Sequence, residues 1–484
     1  MKKMKKIILF ALLIGITTIS CEDFDGWNID AKHPSNVSGS FLFTSAQKSL
    51  AYRMQATDVN TNIFKMYAQH WTETTYVDEA NYDLDGRDIG GNFWSDLYRN
   101  VLADLEDSKR IISEDESLDA TTKANQIAIA NLMQIYTWHI LVDTYGDIPY
   151  TEALQGNGNI IPKYDDDAAI YTDLFARIDG AIAQLKGGGA SFGGADLLYN
   201  GSTSQWMKFA NSLKFKMAVR ISDYDASLAS TKASEAANAG LIETQSDNAA
   251  FPFEATPPNT NPLWESLVQS GRKDFVPANT FVDIIVPLND PRRHVYMQEN
   301  LGSEVFLGGI YGENNTFGDY THIGDLFHTP DFEGLLFSAS EVHFLMAEAI
   351  ERGILTGFGD AETHYNAGVT TNIQYWGLTA DDASTYLAQD AVAYDSGNWK
   401  KSIGIQKWLS LYGRGFEAWA SWKLLDYPNT MNRPPVSGLP VPRRYTYPLS
   451  EPNINGDNYD AATAAMGGDE LNSRVFWDIK GQGN

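Results

Sequence analysis

Residues 124–142, ANQIAIANLMQIYTWHILV, carry the clearest evidence about the fold. Their apolar side chains recur at helical spacing on two stripes: Ala128, Leu132 and Ile135 on one, and Ile127, Ala130 and Leu141 on the other. An amphipathic helix at a surface needs only one such stripe. A helix with two apolar sides is expected in stacked helix pairs, where each layer packs against the layer before it and the layer after it.

Other segments repeat the helical pattern. From Asp167 to Leu185 apolar residues recur every three or four positions, with Asp165 and Asp166 before them as candidate N-caps and glycines after them. A second run follows Ser202 on a stripe that begins at Trp206. Further helices are readable near 37–55, 93–113, 339–352, 360–375 and 404–425, whereas strand signals are sparse. The chain is therefore predicted to be mainly α-helical.

Two internal regions lack this periodicity. Residues 72–92 are polar, acidic and rich in Gly and Asn, and residues 250–337 are interrupted by prolines and glycines. Long irregular segments in a compact domain are usually functional or disordered. The aromatic content of 250–337 argues against disorder. The stretch 426–478 is also rich in turn residues.

The N-terminus reads as a bacterial lipoprotein leader. Four lysines precede an uncharged run from Ile7 to Ser20, which is shorter than the roughly 20 residues that cross a bilayer. The run ends in Thr18-Ile19-Ser20-Cys21, which resembles a lipobox. We predict a signal peptide at 1–20, lipidation of Cys21, and a linker at 21–36. Acidic residues directly behind Cys21 resemble the surface-export signal of Bacteroidetes lipoproteins.

Composition excludes several classes of function. The 484 residues carry a formal net charge of −26 and one Cys. So acidic a chain repels phosphate backbones, which makes nucleic acid an unsuitable partner. A single Cys rules out an internal disulfide framework and any multi-cysteine metal site.

A series of blocks, in order along the chain, resembles one known family. They include DTYGDIPYTEAL at 143–154, SEVHFLMAEAIERG at 340–353 and IGIQKWLSLYGRGFEAWASWKLLDYP at 403–428. Together with the lipobox, these blocks are similar to the SusD/RagB nutrient-binding outer-membrane lipoproteins, in the SusD-like branch with shorter chains.

The resemblance implies a fold and a role. The fold would be a single domain, 37–484, with four tetratricopeptide-like helix pairs and an inserted lobe at about 250–337. The pairs would be 37–70 with 91–113, 123–145 with 167–186, 203–223 with 228–241, and 339–353 with 359–376. The protein would lie on the outer membrane, facing the cell exterior. There it would capture a nutrient for a SusC-like TonB-dependent transporter, and the nutrient that the resemblance favours is an oligosaccharide.

The resemblance also places the ligand site in the two irregular regions. Sugar recognition needs flat apolar faces beside planar polar groups, which Tyr, Trp, Asn, Asp and Arg provide. Residues 72–92 supply the candidates Tyr76, Asn81, Tyr82, Asp85 and Arg87. The insertion supplies Trp264, Arg272, Tyr311 and Tyr320. The aromatic residues on helical stripes are instead predicted to be core: Trp206, Trp408, Trp419 and Trp422.

Alternatives remain open at this level. A peptide-binding member of the same family and a surface glycosidase both fit a chain with aromatic loops. No catalytic or metal-binding motif is present, and His139, on an apolar helix, is expected in the core. We therefore predict no enzyme activity and no cofactor. DLDGRD at 83–88 looks like a loop for structural calcium, but it lacks the Glu at the twelfth position of an EF-hand, so a solvated turn is favoured.

Overall fold

Helices dominate the computed structural model, which describes residues 37–479. The α-helices are α1 Gly39–Gln55, α2 Phe64–Tyr67, α3 Ile89–Leu97, α4 Asp104–Glu114, α5 Ala120–Tyr145, α6 Asp167–Leu185, α7 Thr203–Arg220, α8 Ala226–Ala239, α9 Pro262–Trp264, α10 Asn279–Ile285, α11 Arg293–Tyr296, α12 Ala339–Glu351, α13 Ala361–Tyr375, α14 Ala380–Leu387, α15 Trp399–Ser410, α16 Gly415–Leu425, α17 Glu451–Ile454 and α18 Gly456–Ala465. The strands are β1 Trp71–Glu73, β2 Ile148–Pro149, β3 Tyr164–Asp165, β4 Ala249–Phe251, β5 Phe275–Pro277 and β6 Gly334–Phe337. The mainly helical prediction is confirmed.

Side-chain caps set where the long helices begin. Asp119 accepts hydrogen bonds from the first amides of α5, Asp166 caps α6 as predicted, and Ser202 caps α7. Such caps satisfy backbone N–H groups that have no partner inside the helix. Helix α5 ends at Gly146, whose φ of 83° is readily adopted by glycine.

The helices pack as pairs, and the pairs stack. Helix α1 packs on α4, α5 on α6, α7 on α8, and α12 on α13. Contacts between α4 and α5, between α6 and α7, and between α7 and α12 join each pair to the next. Helices α15 and α16 form a further pair beside α12. The two-sided apolar pattern of 124–142 thus corresponds to a helix buried along most of its length.

The first predicted pair differs from the structure. The expected segment 37–70 is helical only to Gln55, after which the chain forms a loop and the short α2. The partner segment 91–113 is interrupted between α3 and α4 by a π-helical turn, Tyr98–Ala103.

The inserted lobe is anchored by two short sheets. Antiparallel pairing of β4 with β6 joins the start and the end of the insertion, with Phe251 opposite Gly334. Antiparallel pairing of β1 with β5 joins the start of the 72–92 region to the middle of the insertion. The two irregular regions are therefore held side by side.

A buried cluster of charges links three of the helices. Lys216 of α7 lies 2.8 Å from a carboxylate oxygen of Glu341 in α12 and 2.6 Å from one of Glu417 in α16. Arg414 lies 2.6 Å from the other oxygen of Glu341. All four side chains are buried. Burial alone would raise the pKa of Glu417, but the neighbouring cations Lys216 and Arg414 hold that pKa well below its usual range.

Three of the four tryptophans predicted to lie in the core are fully buried. They are Trp206, Trp408 and Trp419. Trp422 differs, because it is only partly buried and its ring lies 5.0 Å from the guanidinium of Arg443.

His139 is buried, as predicted, with its Nδ1 at 2.8 Å from the hydroxyl of Tyr171. Burial lowers the pKa of His139 to about 4, so the ring is neutral at pH 7. Within residues 37–479, none of the helices combines the length and the apolar character needed to cross a membrane.

Replacing Glu417 with Gln is expected to destabilise the fold strongly. The substitution leaves Lys216 and Arg414 buried with one carboxylate fewer, and breaking a buried ion pair in this way costs about 3–5 kcal/mol. We expect a large fall in the urea midpoint of unfolding, measured by circular dichroism. Glu116→Gln, at an exposed position, is the matched control. Equal midpoints for the two variants would contradict the structural role of the cluster.

Candidate ligand-binding cleft

A cleft of about 430 Å³ opens between the two irregular regions. Its lining comes from the end of α1, the residues after β1 and the segment before β5. The β1–β5 pairing brings these parts of the chain together, because Glu73 is paired with Phe275 and both line the cleft. We call it the Tyr76 cleft; it is lined by Tyr52, Glu73, Tyr76, Glu79, Arg87, Glu265, Arg272, Asp274 and neighbouring residues.

Tyr76 presents an aromatic ring at this cleft. It is 67% exposed, and its backbone has a φ of 57°, in the left-handed region that residues other than glycine rarely adopt. The guanidinium carbon of Arg272 lies 6.0 Å from the centre of the ring, within the range of a cation–π contact. Arg272 also forms an ion pair with Asp274. The exposed ring makes Tyr76 a candidate for contact with a ligand.

Two of the lining residues, Glu73 and Glu79, have carboxyl groups that are almost fully buried. Glu73 is 1% exposed, and one of its oxygens accepts a hydrogen bond from the backbone N–H of Ala80 at 2.9 Å. Burial raises the pKa of Glu73 well above its usual range, and the negative charge of Glu79 raises it further. Glu79 in turn forms an ion pair with Arg87. Glu73 is therefore protonated and uncharged at neutral pH.

Charges that line the cleft are balanced locally. Arg87 is paired with Glu79, and Arg272 with Asp274. The carboxylate of Glu265 accepts hydrogen bonds from the hydroxyl of Tyr52 at 2.6 Å and from that of Thr260 at 2.7 Å. The cleft is therefore polar, and each of these charged groups already has a partner.

Three of the predicted ligand residues, Tyr76, Arg87 and Arg272, line this one cleft. Their convergence could not be seen in the sequence, since Arg272 is almost 200 positions from the other two.

Three other predicted ligand residues were expected to be exposed, but the structure places them in the core. Tyr82 and Tyr311 are 2% and 1% exposed, and their ring centres lie 6.1 Å apart. The hydroxyl of Tyr311 donates to the backbone oxygen of Met66 at 2.8 Å. Asn81 is also buried, and its amide donates to the backbone oxygen of Gly312 at 2.8 Å. These side chains fasten the loop to the insertion, so they have no face free for a ligand.

The remaining predicted residues do not line the cleft. Trp264, at the end of α9, and Tyr320 are each partly buried. Asp85 is exposed in a 3₁₀ turn, where its N–H donates to Asp83 at 3.1 Å. A ligand role for these three residues stays a prediction.

The proposed calcium loop is stabilised by its own hydrogen bonds. The carboxylate of Asp83 accepts from the N–H groups of Asp85 and Gly86, and Asp88 caps α3. Elsewhere in 37–479, two groups of side chains converge closely enough to hold an ion. They are His294 with Glu299 and Glu304, and Asp147 with Asp166 and Asp167. Calcium binding at 83–88 stays a prediction.

Several cleft residues were not predicted. Tyr52 was missed because it belongs to a periodic helix, and Glu265 because acidic residues are abundant in this chain. Glu73 and Glu79 lie in the predicted loop, but nothing in their spacing indicates that they meet.

The acid pair gives a prediction about pH. The unfolded chain ionises Glu73 above about pH 4.3, whereas the folded chain retains the proton, so this residue lowers the stability of the wild type as pH rises from 5 to 8. Glu73→Gln cannot ionise and keeps a donor toward Glu79. We expect the variant to gain stability relative to wild type with rising pH, by up to about 1.4 kcal/mol per pH unit.

Urea unfolding at several pH values between 5 and 8 measures this difference, with Glu116→Gln as the control. A constant difference between Glu73→Gln and wild type across the range would contradict the prediction that the folded chain keeps the proton on Glu73.

Comparisons with known proteins bear on the fold and the site. Residues 31–448 match the model of the SusD-like family described as "Starch-binding associating with outer membrane". A solved structure named as a chitin-binding protein is 25% identical, covers 92% of this chain and 100% of its own, and has a TM-score of 0.78. A SusD homolog from Bacteroides uniformis is 26% identical, with a TM-score of 0.79 and coverage of 91% and 99%.

A chitin-binding SusD homolog from Flavobacterium johnsoniae shares the fold at 24% identity, with a TM-score of 0.77 and coverage of 91% and 98%. Among curated proteins there is no match. The family match spans most of the sequence and agrees with the stacked helix pairs and the inserted lobe. This chain belongs to the SusD-like family of proteins that associate with the outer membrane.

Proposed function

We propose that this protein binds glycans at the cell surface and that the Tyr76 cleft is the site. The observation that carries the proposal is the exposed ring of Tyr76 over a polar, charge-balanced cleft. An aromatic ring covers the apolar face of a sugar, and Arg and carboxylate groups bind its hydroxyls. The family description names starch, and two of the similar structures are named for chitin binding.

The charge distribution favours a neutral ligand. A chain with a net charge of −26 disfavours the approach of polyanions. Within the cleft, Arg87 and Arg272 are already paired with carboxylates. An anionic ligand would have to displace those partners, whereas a neutral sugar can add hydrogen bonds to the existing pairs.

The acid pair supports binding without catalysis. Glycosidases place two carboxyl groups about 5–9.5 Å apart across the scissile bond. Glu73 and Glu79 are instead both buried, and the negative charge of Glu79 lies near enough to raise the pKa of Glu73. Although both line the cleft, their burial leaves neither of them exposed to act on a scissile bond, so we assign them to the support of the loop.

We further propose that the protein is tethered to the outer membrane through Cys21 and passes its ligand to a SusC-like TonB-dependent transporter. Cys21 lies outside the described residues. The lipobox-like sequence and the family's association with the outer membrane support the tether. The proposal of a transporter partner rests on the family resemblance alone.

Removing the Tyr76 ring is expected to weaken glycan binding. With malto- and chito-oligosaccharides as probes, we expect Tyr76→Ala to lower affinity about tenfold, which corresponds to about 1.4 kcal/mol. Isothermal titration calorimetry measures the effect. Tyr224→Ala, at a 53% exposed tyrosine outside the cleft, is the matched control and should bind as wild type does. Unchanged affinity in Tyr76→Ala would remove the cleft from the proposal, and release of shorter sugars would contradict binding without catalysis.

Changing Cys21 to Ser is expected to abolish lipid attachment. Acyl chains on Cys21 would anchor the chain stably, since two or more chains are needed for lasting membrane association. In cells fed a labelled fatty acid, we expect label on the wild type only, and loss of the variant from the outer-membrane fraction. Equal labelling of both proteins would refute the assignment of Cys21.

A further inference from the structure

The Tyr76 cleft adjoins a second hollow of about 560 Å³. This hollow lies between α1, the end of α3 with the π-helical turn after it, and the loop that contains Pro257 and Pro258. We call it the Ser45 hollow; its lining includes Ser45, Arg53, Asp96, Asn100, Pro257 and Gln269. Its volume and that of the cleft each fall in the range of about 300–1,000 Å³ found for small-molecule sites.

One hydrogen-bonded pair forms the ridge between the two spaces. Tyr52 and Glu265 line both of them. The hydroxyl of Tyr52 donates to Glu265 at 2.6 Å, and Thr260 holds the other carboxylate oxygen at 2.7 Å. The ridge is therefore fixed in position, and a ligand in the cleft meets these two side chains before it reaches the hollow.

The hollow repeats the chemistry of the cleft. Arg53 is paired with Asp96, as Arg87 and Arg272 are paired with carboxylates in the cleft. Lys48 is held by the side chain of Asn259 at 2.6 Å. The exposed Gln269 supplies an amide group for hydroxyls, the amide of Asn100 donates to Asp96 at 3.0 Å, and the exposed Pro257 supplies an apolar surface.

We propose that the Ser45 hollow is a second subsite for the same neutral glycan chain, entered across the Tyr52–Glu265 ridge. This inference rests on the proposed function, because it extends a sugar chain bound at Tyr76. It assigns a length preference to the protein: a disaccharide fills the cleft alone, and a hexasaccharide occupies both spaces.

Filling the hollow with a bulky side chain tests the subsite. Ser45 is exposed on α1, lines the hollow and does not line the cleft. Ser45→Trp places an indole in the hollow, whereas Ser45→Ala removes the same hydroxyl and leaves the space open. Calorimetry with di- and hexasaccharides of the malto and chito series gives the affinities, and thermal melting verifies that both variants fold as wild type does.

We expect wild type and Ser45→Ala to bind hexasaccharides of the preferred series about tenfold more tightly than disaccharides, and Ser45→Trp to lose this gain while its disaccharide affinity is unchanged. Equal affinity for both lengths in wild type, or an equal loss for both lengths in Ser45→Trp, would overturn the subsite and leave glycan binding in place. Absence of binding by every probe to wild type would overturn the proposed function and the subsite together.

Discussion

The buried charge cluster of Lys216, Glu341, Arg414 and Glu417 constrains the arrangement of the helices. Removing these groups from water is costly, and the cost is offset only if every charge meets its partners. Those partners lie on α7, α12 and α16 and at Arg414, just before α16, so the helices must be positioned to bring these side-chain atoms within hydrogen-bond distance of one another. Arg220, one turn along α7, extends the same cluster to Asp143 of α5 at 3.1 Å. Apolar stripes bring the helices together, and the ion pairs select one register for them.

The scaffold can be predicted well from the sequence because long helices show a periodic spacing of apolar residues. The two apolar sides of 124–142, and the periodic runs that follow Asp166 and Ser202, indicate buried, stacked helices from the order of residues alone. The strands β1 and β5 show no such recognisable pattern. With three residues each, they are too short for an alternating pattern to be recognised. The cleft depends on their pairing, so its location could be inferred only from the family resemblance.

Individual site residues are harder to predict than the site, because an irregular segment does not reveal which side chains face inward. Tyr82 and Tyr311 have the residue type expected at a sugar site, and both lie in the core. Tyr76, six positions before Tyr82, is exposed. No periodicity separates the two cases, since the loop between them follows neither a helix nor a strand. Tyr52 shows the opposite problem. Its helix is easily predicted, but the apolar periodicity of a helix does not indicate which of its side chains lines a cleft.

The buried residues of the loop explain how Tyr76 can be exposed and still be held in place. Two positions before it, the N–H of Thr74 donates to the backbone oxygen of Asp274 at 2.8 Å, and its hydroxyl donates to that of Lys273 at 2.6 Å. Five positions after it, the amide of Asn81 is bonded to Gly312. A short loop fixed at both ends restricts the backbone of Tyr76, and in the proposed site this restriction would lower the entropy lost on binding. Asn81, which the sequence suggested as a ligand contact, therefore helps to hold the loop that carries the exposed ring.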